Sequence, residues 1–350
     1  MGLLKRKSKG DGDVVVGLDL DPSHIAAAEV VVNGSVHVTR GAVMTLRPGI
    51  LRDGEIGDAA GLTEALREMW AEHKLPDRVR LGLANQRIVV RTLDLPPLDD
   101  EKALAAAVRV EAPDHIPMPM EEAVLDFQSL GLVQTAEGPR TRVVVVAVRR
   151  EMVERYAEAV RAAGLKVEGI DLSAFALVRA LNRQSAAAGG LLYINVSGLT
   201  NVAVASDGHV LFTRAAAGGL ESMIHTLSTR RSLTLEHAAQ WLNHVGLATP
   251  LDQVEGDPEV VAAARAVLEE GVHQLADTVR NSLNFYRMQE SAENVASAVL
   301  AGPAVDIAGF AEALADSLRM PVETAVVSGE GLNGNASRLA VAAGLAVESV

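Results

Sequence analysis

Residues 14–20, VVVGLDL, form an unbroken apolar run that predicts a buried strand. DPSH interrupts it. IAAAEVVV then leads to Asn33-Gly34, a two-residue hairpin signal, and SVHVTR gives a third strand. The same grammar returns at 191–214, LLYINVSGLTNVAVASDGHVLFTR. Here a strand, a polar turn around NVSGLT, a second strand, an Asp207-Gly208 hairpin and a third strand follow one another. Both units close on Thr-Arg (Thr39-Arg40 and Thr213-Arg214), and Asp19 and Asn195 hold matching places 176 residues apart. This weak internal duplication predicts two similar α/β halves facing one another.

Between the units, helix and strand periods alternate. GLTEALREMWAEHK (61–74) has helical spacing, and 79–96 reads as two strands around Asn85-Gln86. Residues 99–112 begin with an Asp cap and an acidic first turn, the start of a helix. APDHIPMPM, with three prolines in seven residues, is expected to be non-helical. EEAVLDFQSL and TRVVVVAV read as strands, REMVERYAEAVRAAG as a helix closed by Gly164, KVEGIDL as a strand and SAFALVRALNR as a helix. SAAAGG (185–190) is expected to be a flexible junction. Beyond Gly218-Gly219 the pattern is helical over 220–230, 234–245 and 257–289. VASAVLAGPA is a strand entering a Gly302-Pro303 turn, VDIAGFAEALADSLR a helix, PVETAVV a strand and 335–347 a final helix. The fold class is α/β with mixed sheets.

Composition narrows the function. At 350 residues the chain suits about two domains or subdomain pairs. Aromatics are only 3%, and 32 basic against 45 acidic residues give −13, so nucleic acid is not an expected partner. The charge is uneven: Lys5, Arg6, Lys7 and Lys9 make a basic arm over residues 1–13. Such an arm suits anionic lipid, although a frayed, solvated start explains it as well. With no cysteine, disulfides, thiolate metal sites and Cys nucleophiles are excluded, which fits a reducing compartment. No transmembrane segment or secretion signal is read, so a cytoplasmic protein is expected.

The familiar catalytic motifs are missing: there is no Walker A, HExxH or GxSxG. GEGLNG (329–334) matches a dinucleotide fingerprint, but only 16 residues follow Gly334, too few to complete a βαβ unit, so it reads as a loop. What remains is the pair of duplicated turns. Two strand–turn–strand units can bring backbone N–H groups to an anion from both sides, and an acidic residue at the first turn can hold a metal through water. A third unit, strand–Gly302-Pro303–helix, could face a nucleotide. The candidate nucleotide residues are Asp19, Asp21 and Ser23 in the first turn, Asn195, Ser197, Gly198 and Thr200 in the second, Gly218 and Gly219, and Gly302 and Pro303.

Beyond these spacings, LRPGILRDGEIGD (46–58), RLGLANQRIVVRTLDLP (80–96), EAPDHIPMPMEEAVLDFQSLG (111–131), the 156–181 segment and VLFTRAAAGG resemble the PilM family of type IV pilus assembly proteins over nearly the whole chain. The likeness to FtsA, the division protein, is weaker, and the chain stops at Val350 where FtsA continues to an amphipathic membrane helix. The resemblance implies an actin-like (ribonuclease H-like, duplicated) ATPase fold with a 1C insertion subdomain. Subdomain 1A would hold 14–94, 172–190 and 331–350, 1C 95–171, 2A 191–218 and 290–330, and 2B 219–289. It implies ATP with Mg in the cleft, the metal held only with nucleotide and near Asp19. It also implies a partner, the cytoplasmic tail of a PilN-like bitopic membrane protein, added as an extended strand to a groove between 1A and 1C. Val89, Val90, Arg91, Leu125, Phe127, Val144 and Val146 are candidate lining. Through that partner the protein would lie at the inner face of the membrane, linked indirectly to the pilus motor ATPase. Self-association stays open.

The first turn departs from the family's Asp-Ile-Gly-Ser pattern. It reads Asp19-Leu20-Asp21-Pro22, the usual Lys position falls on Ala26, and Asn195-Val196-Ser197 replaces a second Asp-Ile-Gly. Asp21 puts a carboxylate where a phosphate should approach, and Pro22 removes an N–H donor. Two readings of the cleft follow: a weakly held structural nucleotide, or a pseudo-ATPase scaffold, the one favoured here. A slow actin-like ATPase or kinase and an FtsA-like division protein are the alternatives.

Overall fold

The computed structural model describes residues 14–98, 100–181, 189–289 and 292–347. The basic arm and positions 185–188 of the expected junction lie outside the described residues. The chain opens with β1 (Val16–Leu20), β2 (His24–Asn33), β3 (Ser35–Thr45), β4 (Leu51–Arg52), β5 (Glu55–Ile56), α1 (Ala59–His73), β6 (Arg78–Leu83) and β7 (Val89–Leu95). It continues through α2 (Glu101–His115), β8 (Ala123–Thr135), β9 (Gly138–Arg149), α3 (Arg150–Ala162), β10 (Lys166–Leu172) and α4 (Ser173–Leu181). The second part holds β11 (Gly190–Val196), β12 (Thr200–Ser206), β13 (His209–Ala216), α5 (Leu220–Arg231), α6 (Leu235–Val245) and α7 (Pro258–Arg287). It closes with β14 (Val295–Ala301), α8 (Phe310–Leu318), β15 (Val322–Thr324) and α9 (Ala340–Ala346).

Two five-stranded mixed sheets carry the duplication. Their orders are β10-β6-β1-β2-β3 and β15-β14-β11-β12-β13. In each, the first strand of the repeat pairs antiparallel with the second and parallel with a later strand. Asp19 and Asn195 are both the penultimate residue of that first strand, so the match read from the sequence is a match in space.

Helix α4 lies between the sheets. Its sequence SAFALVRAL is apolar nearly all round, and seven of its nine residues are buried, the pattern of a helix covered on every side. α4 packs on α9, and both belong to one core with β1, β6 and the facing residues Tyr193 and Ala203 of the second sheet. The opposite face of the second sheet forms another core with α5, α6, α7 and α8.

A third sheet, β7-β9-β8, packs its outer face on α2 to make a small core from Leu93, Leu95, Leu104, Val108 and Val145. Sheet membership divides the chain differently from the expected 95–171 insertion. β7 begins at Val89 and pairs with β9 throughout, while β10 pairs parallel with β6 and belongs to the first half. Tyr156 and Val160 of α3 likewise enter the first core.

Other boundaries also move. α2 runs through Pro113 to His115, contrary to the expectation from APDHIPMPM. Pro113 sits in the last turn on the exposed face, so the carbonyl it leaves unbonded, that of Arg109, is on the solvated side. The helix expected from Val305 starts only at Phe310. Leu247 and Ala248 both donate their N–H to the Ala308 carbonyl, and Gly309 takes φ +80°, which breaks the helical path. The final helix begins at Ala340, because Asn335–Arg338 form a turn and the Ser337 hydroxyl is tied to Asp306. GEGLNG is a loop with one short 3-10 turn, packed on β3.

Candidate functional site

The first turn is the connection from β1 to β2. Asp21 N–H donates to the His24 carbonyl and His24 N–H returns to the Asp21 carbonyl, which closes a tight hairpin over Pro22-Ser23. The Asp21 carboxylate accepts from the Ser23 N–H at 2.9 Å and the Ser23 hydroxyl at 2.5 Å. This Asx-type arrangement locks the turn.

The second turn, Ser197–Leu199, leads from β11 to β12. Its Ser197 carbonyl accepts from the N–H of Leu220, the first residue of α5, and Thr200 Oγ1 donates to the Gly218 carbonyl at 2.7 Å. A Cβ added at Gly219 would overlap the Ser197 carbonyl, so Gly218-Gly219 lets the head of α5 lie directly on the turn. Gly302, at φ +84°, lies against Asn195, whose Oδ1 is 2.5 Å from where a Cβ would stand. The Gly302-Pro303 unit therefore abuts the end of β11, where the second turn begins.

The two turns meet. Gly198 N–H donates to both oxygens of Asp21, at 3.0 and 3.1 Å. The Asp21 carboxylate is held by neutral donors, two backbone N–H groups and a hydroxyl, and the group is only 7% exposed. His24 Nδ1 stands 3.5 Å away, but burial lowers the pKa of this imidazole. Ser197 Oγ is buried beside the contact and makes no hydrogen bond.

Around this junction the field is negative. Burial first and Asp21 second push Asp19 up to about 7, against the Ser173 hydroxyl, which donates to it at 3.3 Å. Glu221, in the first turn of α5, is pushed to about 7 by burial, then by Asp21 and Asp53. Asp53 occupies the β4–β5 turn, held from behind by the Asn85 amide, which donates to the Asp53 and Gly54 carbonyls. Asp53, Asn85, Ser173 and Glu221 were missed by the sequence reading. Asp53-Gly54 and Asn85 lie inside segments it quoted, but nothing in them tells which other elements they face. Among the described residues no group of three or more His, Asp or Glu side chains is placed to hold a metal ion.

Beside the junction a cavity of about 110 Å³ is bounded by the head of α5, the middle of α7 and the second turn, with Thr200, Ser222, Gln274 and Thr278 as its polar lining.

The candidate peptide-groove residues fall on two faces of the β7-β9-β8 sheet. Val90, Val144 and Val146 are buried in the core of the first half, so their side chains do not line a groove. Val89, Leu125 and Phe127 lie on the α2 side and are half-buried, with Arg91 on the same face and its guanidinium over the Phe285 ring of α7. Among the described residues β8 pairs only with β9, which leaves its other edge unpaired.

A family profile described as "Type IV pilus assembly protein PilM" matches residues 17–350. The chain belongs to the PilM family of type IV pilus assembly proteins. Among solved structures it is similar to a chain of the "PilM-PilN type IV pilus biogenesis complex", with 26% identity, 95% of this chain and 98% of that one covered, and a TM-score of 0.76. It is also similar to ethanolamine utilization protein EutJ from Carboxydothermus hydrogenoformans (16% identity, 98% and 92% covered, TM-score 0.55). A further match is MreB 5 of Spiroplasma citri bound to AMPPNP (13% identity, 96% and 95% covered, TM-score 0.55). These two likenesses concern the fold alone. The PilM-family chain thus has the actin-like α/β fold expected, with the β7-β9-β8 sheet and α2 inserted in its first half.

Proposed function

We propose that this PilM-family chain is an adaptor of type IV pilus assembly that docks the cytoplasmic N-terminal tail of a PilN-like membrane protein. It lies peripherally at the inner face of the cell membrane through that partner. The observation that carries this reading is the likeness, over 95% of the chain, to a member of the PilM–PilN complex. The β7-β9-β8 sheet supports it, since among the described residues β8 is strand-paired on one side only, and an extended tail can add to its outer side with Leu125 and Phe127 as apolar seats. Contact with the assembly motor would run through the same partner. A fluorescence-polarisation titration with a peptide of the cytoplasmic N-terminal tail of a PilN-like protein tests the reading. Saturable binding is expected, and no binding with both partners folded overturns it.

The space between the turns serves in this reading as a joint rather than as a nucleotide site. Three observations support that. The donors a phosphate would need (Gly198 N–H, Ser23 N–H and the Ser23 hydroxyl) already hold Asp21. Burial first and the Asp21 charge second push both Asp19 and Glu221 up to about 7, the mark of a space that resists a further negative charge. The neighbouring cavity, about 110 Å³, is below the roughly 300–1,000 Å³ of ligand pockets. With Asp21 in place the residues do not fit a phosphate, and no chemical step is assigned to them. Calorimetric titration of the native protein with Mg-ATP tests this part separately: sub-micromolar binding overturns it.

A further inference from the structure

We propose that the Asp21 carboxylate is a resident anion, standing between the two turns where a ligand's phosphate would otherwise stand and pinning the two halves together without one. The inference deepens the joint reading of the cleft. It does not depend on the partner.

The two turns belong to different sheets, and they are the matching connections of a duplicated unit. In such a pair, backbone N–H groups pointing into the space between the turns form a concavity suited to an anion. That space already contains one. Asp21 takes the Gly198 N–H on both oxygens from across the junction, while Ser23 supplies an N–H and a hydroxyl from its own side. A carboxylate buried to this degree is tolerable only if it is fully hydrogen-bonded, and hydrogen bonds to an ionised acceptor are the stronger kind.

The fit extends to shape. A Cβ added at Gly198 would overlap Asp21 Oδ1, with Pro22 Cβ next at 3.1 Å. The second turn is therefore cut to receive this carboxylate and its proline neighbour. Pro22 has no N–H to aim at a ligand, and in this arrangement none is needed there, because the anion comes from the residue before it.

The consequence is a junction closed from within. In a two-body protein whose turns embrace a free phosphate, the ligand's departure removes the bridge. Here the bridge is covalently part of β1's exit and cannot leave.

Hydrogen–deuterium exchange of the full chain, read on peptides spanning Gly198, is the test, with the unfolding midpoint as a second readout. Both are measured in sodium phosphate and in sodium chloride of equal ionic strength. In the native protein the Gly198 amide should exchange slowly and phosphate should do no more than chloride. In Asp21→Gly the amide should exchange at least tenfold faster, the midpoint should fall, and phosphate should reverse both. Asp21→Asn keeps the shape with a neutral acceptor, guards against a variant that does not fold, and should speed exchange about threefold or more. Unchanged exchange in both variants overturns the proposal, as does faster exchange in Asp21→Gly that phosphate leaves unprotected. Native protein that binds Mg-ATP while Asp21→Gly behaves as described would overturn the joint reading and leave the contact itself in place.

Discussion

Gly344 of α9 lies so close to Ala176 of α4 that a Cβ at position 344 would overlap the Ala176 carbonyl oxygen. The two helices thus touch backbone to backbone. Arg179 of α4 strengthens the contact by donating to the Gly344 carbonyl while pairing with Asp171.

Gly344→Ala should therefore be among the most damaging single-methyl changes in the chain. Overpacking against rigid backbone costs about 1–3 kcal/mol, more where nothing can yield. Gly169→Ala is the control, since its nearest neighbour would be the flexible Arg80 side chain at 3.6 Å and its φ is ordinary. Denaturant unfolding should show a large loss for the first and about 0.5 kcal/mol or less for the second. Equal losses would mean that the helices can part easily.

Stability should fall as pH rises from about 4 to 7. Asp19 titrates near 7 in the folded protein and near 3.9 when unfolded, so the folded state holds the extra proton in that window. The favourable contribution is complete below the unfolded value, shrinks at up to about 1.4 kcal/mol per pH unit, and is gone above 7. Glu221 acts with the same sign and, being partly exposed, more weakly. Asp19→Asn should flatten the profile measured by urea unfolding at pH 5, 6, 7 and 8. An unaltered slope would move the titration elsewhere.

Arg265 is buried, and its guanidinium donates to the Gly246 and Thr249 carbonyls at 2.8 and 2.6 Å, closing the C-terminal end of α6. Arg265→Leu should cost about 2–4 kcal/mol, because the carbonyls lose their donors in a water-poor site. Arg265→Lys should restore little of it, as one ammonium cannot span the carbonyls in the planar fork geometry. Chemical denaturation of the two variants decides this.

Core and docking surface in the β7-β9-β8 sheet should separate by mutation. Val144→Ala, facing the first core, should lower stability by about 1–3 kcal/mol and leave tail affinity per folded molecule unchanged. Phe127→Ala, on the half-buried α2 side, should weaken tail binding about tenfold or more. The reverse pattern in polarisation titrations would place the tail on the other face.

The repeated strand grammar made the body of the fold legible. Asn33-Gly34 and Asp207-Gly208 mark the hairpins where they occur, and Asp19 and Asn195 lie at equivalent strand ends. Short-range signals failed where a distant contact overrode them. Pro113 is helical because its face is solvated, whereas Val305 sits only in a short 3-10 turn (Pro303–Asp306), and the α-helix waits until Phe310 because Leu247 and Ala248 claim the Ala308 carbonyl. Asp21 was recognisable as an obstacle to phosphate, but its bond to Gly198 joins residues 177 positions apart and has no local trace. Alternation along 89–91 and 144–146 announces strands but not which face is covered, so Val90, Val144 and Val146 were grouped with residues on the other side.

The place of α9 in the first core has a consequence for synthesis. β1 and β6 are translated early, yet residues that cover them, Ala342 and Leu345 among them, lie in α9, far downstream in the chain. At roughly 5–20 residues per second, the first sheet waits tens of seconds on the ribosome with its apolar face uncovered. Such a nascent chain is a natural client for a holding chaperone, and removal of α9 should injure the first half before the second.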